Sequence, residues 1–163
     1  MERTNKMKTA LVPGSFDPPT AGHLNIIKRA AAMFDKVYVT IFINTDKTPR
    51  FDLSERFEML VAACKGLDNV MCDTDSGMLA DYCKDRGIKT VVKGARNAAD
   101  FEYEVKMAHF NRERNPELDT VILPAEAGLE GISSTALYEK IKSGEDYGKF
   151  LPENVAEIIN NLI

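Results

Sequence analysis

Short apolar runs rich in β-branched residues alternate with segments of helical periodicity along the whole chain, and no other feature restricts the fold as much. Lys8-Thr9-Ala10-Leu11-Val12-Pro13 reads as a first strand closed by Pro13-Gly14. Leu24, Ile27, Ala31 and Phe34 then recur at helical spacing, which predicts a helix over about 21–34. The run from Lys36 to Ile43 predicts a buried strand, followed by a polar loop from Asn44 to Phe51. Asp52-Leu53-Ser54-Glu55 is a capping-box pattern that opens a second helix carrying Phe57, Leu60, Val61 and Cys64 on one face. A strand over Asn69–Asp73, a helix over Ser76–Arg86 stopped by Gly87, and a strand over Lys89–Val92 repeat the pattern. A helix from Asp100 to about Glu113 and a strand over Asp119–Leu123 complete it. Two helices close the chain, one from Ser133-Ser134 to Gly144 and one from Pro152. Strands alternating with helices at this interval imply βαβ units. The expected fold is α/β: a doubly wound, five-stranded parallel sheet with right-handed crossovers and helices on both faces.

The 163 residues, with no linker, repeat or low-complexity stretch, predict one domain over residues 1–163. Lys and Arg number 21 against 25 Asp and Glu, a net charge of −4, which makes the chain a poor general binder of nucleic acid or anionic membrane. No apolar run approaches a membrane span, and the start, Met1 to Lys8, carries no stretch long enough for a secretory signal. The three cysteines, Cys64, Cys72 and Cys83, lack metal-site spacing. Cys64 and Cys83 fall on apolar helix faces as buried free thiols, which suits a reducing cytoplasm. The helix over 100–113 has two apolar stripes, Phe101/Val105/Ala108 and Tyr103/Met107/Phe110. One stripe can face the sheet and the other needs a partner, which points to a homo-oligomer or to another element of the same chain.

In an open α/β sheet, ligands bind beyond the carboxyl ends of the strands, so the loops after strands carry the chemistry. The first, Pro13 to His23, has neither a dinucleotide fingerprint nor a Walker A pattern. Instead, Thr20 can cap a helix whose first turn holds Gly22 and His23. The free N–H groups there suit phosphate, and His23 adds an imidazole donor. The plain alternative is that Thr20 is only a cap and His23 an ordinary helical residue. The second loop carries Lys47 and Arg50, which a solvated loop would also hold. The fourth strand ends in Lys93-Gly94-Ala95-Arg96-Asn97; as purely structural residues, its two cations would be exposed charges without partners. The last loop ends in Ile132-Ser133-Ser134-Thr135 at a helix start, where hydroxyls serve as caps or as donors to a polyphosphate. Together these put Ser15, His23, Lys47, Lys93, Arg96 and the hydroxyls of Ser133, Ser134 and Thr135 on one sheet edge, suited to a small anionic ligand. No Cys/His metal cluster and no G-x-S-x-G elbow is present.

The Thr20-x-Gly22-His23 element with Ile132-Ser133-Ser134-Thr135 resembles the paired signatures of the nucleotidyltransferase superfamily. Pro13-Gly14-Ser15-Phe16-Asp17-Pro18, Lys93-Gly94-Ala95-Arg96, Asp100-Phe101-Glu102-Tyr103-Glu104 and Phe150-Leu151-Pro152-Glu153-Asn154-Val155 are similar to blocks of the bacterial phosphopantetheine adenylyltransferases. This resemblance implies a Rossmann-like core, a hexamer, Mg²⁺ as cofactor, and transfer of AMP from ATP to 4′-phosphopantetheine, giving dephospho-CoA and pyrophosphate. Coenzyme A enters as a candidate inhibitor. The implied catalytic residues are His23, Lys47, Arg96 and Ser134. ATP would be held by Gly14, Ser15, Phe16, His23, Gly94, Ala95, Arg96 and Glu104, and by Leu129, Glu130, Gly131, Ile132, Ser133, Ser134 and Thr135. Phosphopantetheine would be held by Ser15, Lys47, Leu79 and Lys93. The residues that would hold the metal are not implied.

Four positions depart from the family pattern. Ser15 replaces the usual Thr and keeps the hydroxyl. Lys93 stands where Arg is frequent and gives a point charge in place of a planar fork. Ala95 replaces Leu, and Leu129 replaces an aromatic found in some members. Two other readings compete. One is an adenylyl- or cytidylyltransferase acting on another phosphorylated acceptor such as nicotinate mononucleotide. Those enzymes often carry Arg where this chain has Tyr138. The other is a nucleotide-binding regulator without catalysis, against which the Thr20/His23 pair argues.

Overall fold

A computed structural model describes residues 6–163. The expectation about a secretory leader rests in part on residues 1–5, which lie outside the described residues. Five strands, β1 (Thr9–Gly14), β2 (Lys36–Phe42), β3 (Val70–Asp75), β4 (Thr90–Ala95) and β5 (Asp119–Pro124), pair in parallel in the order β3-β2-β1-β4-β5. The order reverses between β1 and β4, so the switch point lies beyond Gly14 and Ala95.

Helices cover both faces because alternate strand residues point to opposite sides. Ala10, Val12, Val39 and Val92 pack against Ile27 and Ala30 of α1 (Ala21–Met33) and Leu60 of α2 (Leu53–Ala63). Leu11 and Val91 face the other way, onto Tyr82 and Cys83 of α3 (Leu79–Arg86) with Ile88 and Leu118. Each fully buried Val, Leu or Ile side chain among them contributes roughly 1.5–3 kcal/mol. A third layer forms where Met59 and Ala63 of α2 meet Leu137 of α5 (Ser134–Ser143) and Val155 and Ile159 of α6 (Glu153–Leu162). The last post-strand segment is thereby tied to α2. The remaining helix, α4, spans Ala98–Arg114.

Several boundaries shift for local reasons. The helix expected from Ser76 begins at Leu79, because the Asp75 carboxylate accepts the Gly77 N–H at 2.8 Å and holds the intervening residues in a turn. Strand β4 runs to Ala95, not Val92, because its pairing with β5 continues through Ala95 opposite Pro124. Lys93 and Gly94 therefore sit on a strand, not in a loop. Helix α4 starts earlier than Asp100, since the Asn97 side chain caps the Asp100 N–H. Gly87 and Gly144 end α3 and α5 in the left-handed conformation, where a side chain is disfavoured. Neither stripe of α4 is seated whole: Phe101 is 50% exposed, Tyr103 60% and Phe110 48%, while Val105, Met107 and Ala108 are half-buried. Cys64 and Cys83 are buried free thiols. Among the described residues no helix is long and apolar enough to cross a membrane.

Candidate active site

A cavity of ≈ 400 Å³ opens at the switch point. Its walls come from the end of β1, the first turn of α1, the end of β4, one face of α4, and the segment leading into α5. Thr20 caps α1 by accepting the His23 N–H on Oγ1 at 3.2 Å, and His23 returns the bond, since its Nδ1 accepts the Thr20 N–H at 2.9 Å. This capping box uses an imidazole where Glu or Gln is usual. A backbone N–H can only donate, so Nδ1 is the unprotonated nitrogen and the neutral ring carries its proton on Nε2. Burial, with Lys93 and Arg96 nearby, lowers the His23 pKa from 6.5 to about 4. His23 is therefore a neutral donor at neutral pH, not an imidazolium.

Phe16 holds the ring from the side, with centroids 5.0 Å apart in an edge-on arrangement. Its backbone lies in the left-handed region at φ 46°, a costly conformation for a bulky residue that a packed surrounding must enforce. Gly94 is required by packing, because a Cβ there would lie 2.9 Å from Ile26 Cγ1. A Cβ at Gly22 would make only ordinary contacts with protein atoms, the nearest being Thr20 Oγ1 at 3.5 Å.

Both cations at the end of β4 have carboxylate partners on α4. Lys93 Nζ lies 3.4 Å from Glu104, and Arg96 Nε lies 2.9 Å from Asp100, one helical turn earlier. Arg96 holds the Asp100 carboxyl below its ordinary range, whereas desolvation raises that of Glu104 against the pull of Lys93. Glu126 adds a third carboxylate to the lining, so two cations face three acids.

Gly14, Ser15, Phe16, His23, Lys93, Gly94, Ala95, Arg96, Glu104, Leu129, Ile132, Ser133 and Ser134 all line the cavity. Lys47, Leu79, Glu130, Gly131 and Thr135 do not. Lys47 sits on an exposed turn whose N–H reaches the Asn44 carbonyl at 3.4 Å. Leu79 packs beside Tyr82 and Phe42 in the core under α3. Glu130 accepts the Gly128 N–H, and Thr135 Oγ1 accepts from Arg50 Nη2 at 2.8 Å. Ser134 lines the cavity, but its hydroxyl already donates to the Pro18 carbonyl at 2.8 Å and ties α5 to the first loop. Ser133 accepts the Ala136 N–H, which leaves its own O–H free to donate elsewhere. Sequence reasoning did not name Asn25, Asp100 and Tyr103 as lining residues. For Asn25 and Tyr103 the signal available was the spacing of three residues along a helix from Gly22 and Asp100; Asp100 lies in the first turn of α4 after Arg96.

The sequence profile of the cytidylyltransferase-like family matches residues 11–140. The phosphopantetheine adenylyltransferase of Alkaliphilus metalliredigens is 40% identical over 154 residues, covering 94% of this chain and 98% of that one. The protein of the same name from Clostridium novyi is 37% identical over 157 residues, covering 96% and 98%. A crystal structure from Vibrio parahaemolyticus, assigned to nicotinate-nucleotide adenylyltransferase, superposes with a TM-score of 0.73 at 20% identity over 95% of this chain and 93% of that one. At that identity the likeness concerns the fold.

Proposed function

The chain belongs to the cytidylyltransferase-like family and, within it, to the phosphopantetheine adenylyltransferases, and from that premise we propose how its cavity works. It is a nucleotidyltransferase that carries the adenylyl group of ATP to 4′-phosphopantetheine, yielding dephospho-CoA and pyrophosphate in coenzyme A biosynthesis. The observation that carries the assignment of the site is the meeting of His23, Lys93, Arg96 and Ser133 around one cavity at the switch point.

The 4′-phosphate is already a nucleophile at neutral pH, so no general base is required. It attacks the α-phosphorus in line, and pyrophosphate leaves. Catalysis is then positioning and charge stabilisation. The His23 Nε2–H donates to an α-phosphoryl oxygen as charge builds there. Arg96, the free Ser133 hydroxyl and the first N–H groups of α5 hold the β- and γ-phosphates. Lys93 steadies the incoming phosphate from within the cavity, and Lys47 does so from the exposed loop over residues 44–51. By the family expectation Leu79 meets the pantetheine arm, from outside the cavity lining.

Mg²⁺ is read as arriving on the triphosphate. Among the described residues no three His, Cys, Asp or Glu side chains gather to cage a metal, and the lining's excess of carboxylates calls for a cation on the nucleotide. When bound, it neutralises phosphate charge. The exposed Phe101, Tyr103 and Phe110 of α4 support a homo-oligomer, with a hexamer as the family expectation. The free thiols Cys64, Cys72 and Cys83 support a reducing, cytoplasmic setting. Coenzyme A, which shares the pantetheine arm, is expected to compete with the acceptor.

The test is pyrophosphate release with ATP and a panel of phosphorylated acceptors. The expected result is turnover with 4′-phosphopantetheine far above that with nicotinate mononucleotide. Preference for another acceptor, or no release at all, would overturn the reading.

A further inference from the structure

Arg56, on the first turns of α2, is only 6% exposed. A guanidinium that is taken out of water normally meets a carboxylate, because the desolvation cost is otherwise uncompensated. Among the described residues, no carboxylate forms a salt bridge with Arg56. Its Nη1 instead donates to the Ser15 carbonyl at 2.9 Å, and its Nε donates to the Phe51 carbonyl at 3.0 Å. These two carbonyls belong to different post-strand loops: Ser15 to the one that ends at His23, Phe51 to the one that carries Lys47.

The Phe51 peptide is gripped from its other side as well. The Asp17 carboxylate, 9% exposed, accepts the Phe51 N–H at 2.9 Å and the Arg50 N–H at 2.7 Å. A buried cation thus takes the carbonyl and a buried anion takes the amides of the same short segment. A salt bridge between the two would satisfy burial more simply. Their separate use on backbone groups fixes loop against loop.

We propose that Arg56 is a positioning residue that sets the acceptor loop over residues 44–51 against the Ser15 loop, so that both phosphorylated substrates are held at reacting distance. This inference rests on the adenylyltransferase reading. It adds to that reading a residue that touches neither substrate and whose effect is felt on the acceptor and on the chemical step. ATP bound alone is also held by the end of β4 and the start of α5, which Arg56 does not touch, so its affinity is expected to change far less than that of the acceptor.

The test compares wild type with Arg56→Gln and Arg56→Lys in steady-state pyrophosphate release, alongside calorimetric titration with ATP alone. The glutamine variant is expected to show a KM for 4′-phosphopantetheine raised about tenfold and a kcat lowered about tenfold, with ATP affinity within about twofold of wild type. Lysine, which can still donate to both carbonyls, is expected to recover most of both losses. A folded glutamine variant with lowered thermal stability but wild-type KM and kcat would overturn the proposal and leave Arg56 a stability residue. So would an equal loss of affinity for ATP alone. Should Arg56→Gln not fold, Arg56→Met, which fills the space without a donor, decides by the same split: a KM for acceptor raised about tenfold supports it, an unchanged KM sinks it. Wild-type turnover, measured in the same series, separates these outcomes from failure of the functional reading itself.

Discussion

The Thr20 N–H points at His23 Nδ1 from 2.9 Å, and this one bond decides which nitrogen of the imidazole faces the cavity. Because Nδ1 is occupied as an acceptor and the ring is held neutral, Nε2–H is presented as a ready donor. The folded pKa of about 4 lies below the ordinary 6.5. Between those values the unfolded chain binds more protons than the folded one, so stability rises with pH across that window. This contribution is complete above pH 6.5 and is lost as the pH falls through 4. The His23 ring resonances, followed by NMR, are expected to titrate near 4. Titration near 6.5 would mean that the capping bond does not hold the ring.

Replacing His23 by Ala removes the donor and leaves the phosphate-binding backbone in place. The expected result is a kcat lowered by roughly two to three orders of magnitude, the usual loss for one transition-state donor. Affinity for ATP, measured by calorimetry, is expected to change little. Near-normal turnover would take His23 out of the mechanism. His23→Gln, which can still bridge the cap but carries a differently placed donor, is expected to keep the fold and lose a similar share of the rate.

Most of the architecture was legible because strand and helix periods differ and Gly or Pro separates them. Val37, Val39 and Ile41 announce a buried strand, and Thr20, Asp52, Ser133 and Gly87 mark helix ends as the structure has them. The cavity walls at Ser15, His23, Lys93, Arg96 and Ser133 were legible too, since post-strand loops converge in a doubly wound sheet. The pairing of Lys93 with Glu104 was not, because it depends on how α4 folds back along β4. Asp17 and Arg56 were invisible for a related reason: nothing local reveals that a charged side chain will be buried against distant backbone. The facing of α4 was not legible either, because helical spacing identifies a stripe but does not say which stripe turns inward, and Phe101 and Tyr103 of the two stripes both lie exposed.

Gly94 lies where β4 passes under α1, and the space its missing side chain leaves is filled by Ile26. Gly94→Ala would set a Cβ 2.9 Å from Ile26 Cγ1, closer than carbon atoms tolerate. Ile26 is β-branched and stiff at χ1, so it cannot swing aside freely. The expected cost is about 1–3 kcal/mol, read from urea unfolding. Adding Ile26→Val, which trims the Cδ1 but keeps Cγ1, is expected to recover only part of it. Wild-type stability in Gly94→Ala would show that helix and strand can separate without cost.

Lys47 differs from the other cations in lying outside the cavity lining, on an exposed turn between Asn44 and Arg50. If its ammonium steadies the incoming 4′-phosphate, removal should weaken acceptor binding and spare the nucleotide. Lys47→Ala is expected to raise the KM for 4′-phosphopantetheine about tenfold or more, the scale of one lost charge-assisted contact of roughly 1.5–3 kcal/mol. ATP affinity should stay within about twofold, because the nucleotide is held by groups on β1, β4 and α5. The effect should also shrink as salt rises, since an exposed lysine acts on phosphate through a screened field. Calorimetry with each substrate at two ionic strengths separates the possibilities. Unchanged acceptor affinity at low salt would return Lys47 to the role of a solvated loop residue and leave Lys93 as the cation that receives the acceptor.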